Sequence, residues 1–248
     1  MARKRLSADV PLSHLAVIVS RVTDTDELYV RESVTTLTVM LAVPVQGADV
    51  AVHDSARARE FVQNMTTVDE ILEQLPDCAM DALQPTSRSD LDYVRVGCWG
   101  RVTHVVDPGL ASDFLHMPLT EEIANQEARF PGARVVGEVY LDMGGEYAES
   151  VVSLPGVPRL VVRQWDDGTE ATGDLRQVLD ALGMVPADID EDFDPETLED
   201  WDPEPVLRRA LDGFDADPWT EPSRNWSVFR VRRPDGFVSG MEEVWFGR

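Results

Sequence analysis

Residues 166–222 hold 19 acidic side chains against three basic ones, Arg176, Arg208 and Arg209, so this stretch carries a net −16 of the chain's formal −24. Charge at that density cannot be taken out of water unpaired, so these carboxylates belong on the surface. The same one-sided surface repels nucleic acid and anionic membranes and attracts cations or basic proteins.

The chain as a whole supplies enough apolar material for a core. Of 248 residues, 43% are hydrophobic and 27% charged, and a chain of this size can bury roughly three quarters of its unfolded surface. We expect one α+β domain over residues 1–248: an N-terminal segment 1–32, a sheet-and-helix body 33–185, the acidic segment 186–222, and a β-hairpin 223–248 packed on the body. The sheet is expected to be mostly antiparallel with helices mainly on one face.

Residues 33–45 form a β-branched run, apolar on both faces and closed by Pro44 and Gly47, which predicts a central strand. In 53–75 the apolar positions recur at three and four. Two short helices are predicted there, the second opened by Thr67 with Glu70 three residues on, a capping-box pattern. A Pro/Ser/Asp-rich loop follows over 76–90. Next comes a long strand over 93–106, bent at Gly97 and Gly100. A helix near Thr120 ends at Pro131-Gly132. Strands over 134–143, 147–154 and 160–165 are predicted to form an antiparallel meander, the first two joined through Gly144-Gly145. Asp174 caps a helix with Leu175, Val178, Leu179 and Leu182 on one face. Trp201, Val206, Leu207, Leu211 and Trp219 lie scattered through the acidic tract, which predicts a docked irregular segment and not a free tail. Trp226 to Val231 alternate as a strand before the turn at Arg233-Pro234-Asp235-Gly236.

The chemistry on offer is sparse. Lys4 is the only lysine among 22 basic residues, which excludes a Walker-type, Schiff-base or kinase-type lysine. No dinucleotide fingerprint and no nucleophile elbow is present. His14, His53, His104 and His116 lie far apart, with none of the short spacings that hold a metal. His104 reads as a strand histidine, and Cys78 and Cys98 as reduced thiols, Arg101 being the one neighbouring cation for Cys98. Arg3-Lys4-Arg5 is followed by an apolar run too short for an export signal, and no stretch approaches a membrane span. A cytoplasmic protein without cofactor is the expectation; the sequence leaves the oligomeric state open.

Within the acidic tract, Asp188, Asp190, Asp192, Asp194, Glu196 and Glu199 take positions 1, 3, 5, 7, 9 and 12 of a twelve-residue loop, the spacing of an EF-hand Ca²⁺ site. Phe193 stands where that loop needs glycine, and Pro195 where it needs an apolar pairing residue. Asp188, Asp190, Asp192, Asp194 and Glu199 are therefore a weak Ca²⁺ alternative. The same carboxylates with Trp201 form the expected binding face for a basic protein, in the manner of an immunity protein or nucleic-acid mimic. Solubility alone would also account for the charge. Glu138 and Asp142 on one strand, or Asp142 and Glu146 across a turn, are the acid/base candidates of a contrasting reading, an enzyme with a carboxylate-lined cleft in the sheet.

The runs Val50-Ala51-Val52-His53-Asp54, Thr67-Val68-Asp69-Glu70-Ile71-Leu72 and Val94-Arg95-Val96-Gly97-Cys98-Trp99-Gly100-Arg101-Val102, with the strong preference for Arg over Lys, resemble an uncharacterised actinobacterial protein family. The resemblance implies no assigned activity and transfers no functional residues.

Overall fold

A computed structural model describes residues 32–42, 52–79, 91–111, 117–142, 146–166, 168–191, 193–196, 198, 201–212 and 225–237. Their strands are β1 (Glu32–Met40), β2 (Glu70–Ala79), β3 (Tyr93–Trp99), β4 (Val102–Val106), β5 (Arg134–Asp142), β6 (Glu146–Ser153), β7 (Leu160–Trp165), β8 (Gly168–Thr172) and β9 (Asn225–Arg232). All join one open sheet in the order β2-β9-β3-β4-β1-β5-β6-β7-β8, and every pairing is antiparallel. The helices are α1 (Ser55–Val62), α2 (Pro118–Arg129), α3 (Leu175–Leu182) and α4 (Glu204–Leu211).

The fold is α+β and mostly antiparallel sheet, as the pattern implied, but the helices do not gather on one face. Leu37, Val39, Val96, Val105, Val135, Val139, Val151 and Phe229 form a front face packed against Ala58, Phe61 and Val62 of α1 and Leu119 and Ile123 of α2. Met40, Trp99, Val102, Val136, Val152, Leu160, Val162 and Trp226 form a back face under Leu175, Val178 and Leu179 of α3 and Val206, Leu207 and Ala210 of α4. Two apolar stripes on each side are what cover a sheet whose central strands are apolar on both faces. β1 stands fifth of nine, the central place its sequence called for.

Four local readings need correction. The second predicted helix is instead the edge strand β2. Its pairing with β9 shifts register between Ile71 and Glu73 and again between Leu75 and Cys78. Each extra residue resets the alternation, so apolar side chains three and four apart return to the sheet as they would to a helix face. Thr67 does not cap; its buried hydroxyl donates to Asp107 Oδ2 at 2.6 Å. Pro76, read as loop, lies within β2, where a bulged edge strand tolerates a missing donor.

The predicted bent strand over 93–106 is a hairpin. Gly100 has φ +48° and β3 pairs back onto β4 around it, a turn geometry glycine adopts without strain. Gly97 serves a different need: a Cβ there would sit 1.8 Å from the Trp99 indole, so its missing side chain makes room for that ring. The exposed edge strand β8 was not foreseen.

In the last part of the chain, β9 lies inside the sheet, paired to β2 along one edge and to β3 along the other. Both its edges are occupied; the expected return strand beyond the turn lies outside the described residues.

α3 begins at Asp174 as read. The Asp174 carboxylate accepts from the Gln177 amide at 3.1 Å, and Gly183 closes the helix at φ +67°. The acidic segment then docks: Phe193, Leu198, Trp201, Val206, Leu207 and Leu211 are all buried in the back cluster. Burying each such side chain contributes about 1.5–3 kcal/mol, while two exposed carboxylates 8–10 Å apart repel by only about 0.5 kcal/mol in water. The apolar residues therefore win, and the charge rides outward on an anchored strap.

Candidate functional site

Asp188, Asp190, Asp194 and Glu196 are exposed, whereas Trp201 is only 5% exposed. Its indole stands against Phe193, ring centroids 5.9 Å apart, and its Nε1 donates to Ser150 Oγ at 3.3 Å. Trp201 is thus an anchor of the strap, not part of an outer contact face. Asp192 and Glu199 lie outside the described residues, as do Trp219, His14 and His116.

Several of these carboxylates already serve the backbone. Asp188 Oδ2 accepts from the Val185 amide at 2.7 Å and Asp194 Oδ1 from the Glu196 amide at 2.9 Å. Arg176 pairs with Glu196 at 2.7 Å, both side chains well exposed. Phe193, at the position where a Ca²⁺ loop needs glycine, is buried in the core. Among the described residues no group of three or more His, Cys, Asp or Glu stands close enough to hold a metal ion.

The sequence hid a second cluster by scattering it. His53 Nε2 lies 2.8 Å from Ser227 Oγ, and Ser227 Oγ lies 2.9 Å from Asp77 Oδ1. The residue types are those of a hydrolase triad, but the wiring is reversed. The Cys98 amide donates to His53 Nδ1 at 3.1 Å, so Nε2 carries the proton and donates to Ser227, whose own proton goes to Asp77. A catalytic histidine must instead receive the serine proton. Burial lowers the His53 pKa despite the pull of Asp77, and Ser227 is fully buried. This network ties β2 and β9 to the loop before α1.

Cys98 and His104 are equally enclosed. Burial pushes the Cys98 thiol up, against a smaller opposing effect from Arg57; Arg57, and not Arg101, is the relevant cation. His104 is fully buried, its Nδ1 2.6 Å from Thr38 Oγ1, and burial, with the charge of Arg95 second, holds it down at about 3. It stays neutral.

Buried carboxylates are compensated almost everywhere. Asp107 is clamped by Arg233 at 2.7 Å and Glu149 by Arg163 at 3.0 Å. Glu122 accepts from the amide and hydroxyl of Thr66, from Asn125 and from Gln126. Glu138 on β5 is different: no described hydrogen bond or ion pair reaches its half-buried carboxyl. It lines a cleft of about 310 Å³ on the back face with Tyr140, Ala148, Gln164, Trp165, Trp201, Asp202 and Pro203. Burial, then the charges of Asp202 and Glu204, push it up to about 7. Burial likewise raises Asp202. Glu138 was legible as a strand carboxylate; Asp202, its neighbour across the cleft, was not, because only the docking of the strap brings it there. Asp142 and Glu146 pair in register at the far end of β5 and β6.

An open antiparallel sheet covered on both sides, with an acidic strap across its back and a carboxylate-bearing cleft beneath, defines an α+β protein that is mostly antiparallel sheet. The chain belongs to the family of unknown function DUF6333, whose model matches residues 20–248. No curated protein and no solved structure matches it. Among the described residues, no helix is long and apolar enough to cross a membrane.

Proposed function

We propose that this is a non-enzymatic cytoplasmic binding module whose acidic strap receives a basic protein, in the manner of an immunity protein or nucleic-acid mimic. One observation supports the reading above all: Phe193, Leu198 and Trp201 pin the strap to the sheet while Asp188, Asp190, Asp194 and Glu196 face outward. A pinned array of like charges is preorganised, so a basic partner does not have to order it on binding, and its field accelerates encounter. Asp192 and Glu199 belong to the same tract.

The test replaces Asp190, Asp192 and Asp194 by Asn and Glu196 by Gln together. Basic proteins that co-purify at low salt and leave at high salt should bind the variant more weakly, chiefly through a slower on-rate, with fold stability equal or slightly higher. If Ca²⁺ binding is the role, Ca²⁺ should raise the wild-type melting temperature and leave the variant unmoved. Unchanged partner binding together with no response to Ca²⁺ would leave solubility as the role of the charge. A second reading, acid/base catalysis in the cleft, is favoured by Glu138 titrating near neutrality.

A further inference from the structure

We propose that the back-face cleft is a receptor for an organic cation, a guanidinium or alkylammonium group, seated between Glu138 and Asp202 against Trp201. The other buried carboxylates described above have an arginine or a full set of donors; among the described residues Glu138 has neither, and the cleft beside it is open. Among the described residues, the groups facing it are of one sign or neutral. Asp202 and Glu204 come from the strap, Thr36 and Ser150 stand opposite on β1 and β6, and Tyr140 is on its own strand. Arg208 is engaged with Glu204 at 2.6 Å. A metal ion would want three or more oxygen ligands with no aromatic surface. A flat or alkylated cation suits two carboxylates beside an indole face.

The receptor is preformed. Ser150 and Phe193 fix the Trp201 ring, Gln164 Nε2 donates to the Trp201 carbonyl at 3.2 Å, and the Glu204 amide holds Asp202 Oδ1 at 2.9 Å. A bound cation would favour the ionised form of Glu138, so occupancy should strengthen as pH rises through 7. Two sources carry the group: a small free cation, or an arginine or lysine side chain of a protein. Only the second rests on the strap acting as a docking face.

The experiment titrates the full chain with methylguanidine, with N-methylurea as the uncharged control of similar shape, and with a short arginine-containing peptide, followed by tryptophan fluorescence and calorimetry. Methylguanidine should bind saturably, tighter at pH 8 than at pH 6, and about tenfold more weakly to Glu138→Gln. N-methylurea should not bind. A peptide that binds more tightly than methylguanidine, and is weakened by the strap neutralisation, assigns the group to a protein; equal binding assigns it to a free cation. No saturable binding of methylguanidine, or equal binding to wild type and Glu138→Gln, overturns the proposal. Basic proteins binding the strap-neutralised variant as tightly as wild type would sink the strap reading and leave the cleft standing.

Discussion

At the scale of single residues, Glu138 also sets a pH dependence of stability. Its carboxyl titrates at about 7 in the folded chain, against an ordinary 4.5. Between those values the native state holds the extra proton, so the contribution of this group is most favourable below about 4.5 and is lost as pH rises to 7, on the order of 2–3 kcal/mol. His104 works the other way. Held at about 3 against an ordinary 6.5, it costs nothing above 6.5, and stability falls as the unfolded chain takes up that proton at lower pH. Glu138→Gln removes the first effect only. The variant should melt with the wild type near pH 4.5 and about 5–10 °C above it at pH 8. A gap that does not widen with pH would contradict this.

The strap is the element where packing decides. Among the described residues Trp201 is its most buried aromatic, and its ring meets Phe193 and Ser150 at once. Trp201→Ala should cost about 3–5 kcal/mol and open the strap to limited proteolysis between α3 and α4 while the sheet still melts cooperatively. Resistance to protease equal to wild type would show that the strap does not depend on this anchor. The element scale also shows what the sequence made legible. The β5-β6-β7 meander and the N-cap of α3 rest on neighbouring residues, so alternation, paired glycines and Asp174 sufficed. β2 could not be read that way, since its bulges mimic helical spacing, nor could β8, whose five exposed residues carry no buried face. Trp201 was correctly read as docked within the tract and wrongly placed on the contact face. The cleft needed Glu138 and Asp202 from distant segments, and nothing local announced that pairing.

For the whole molecule, β9 is the piece on which the sheet's continuity rests. It alone joins β2 to β3, and it contributes Trp226 to the back core and Phe229 and Val231 to the front. Removing residues 225–248 should therefore abolish the cooperative thermal transition and the near-ultraviolet circular dichroism, and not merely lower the midpoint. A truncated chain that melts cooperatively at the wild-type temperature would refute this. The placement of β9 also imposes a delay during synthesis. Asp77 on β2 and its hydrogen-bonded partner Ser227 lie 150 residues apart, and chains grow at roughly 5–20 residues per second, so β2 waits about 10–30 s for its neighbour. Throughout that interval the growing chain carries β3 with a bare edge, the kind of unpaired strand that must be kept from pairing with other chains until its neighbour is made.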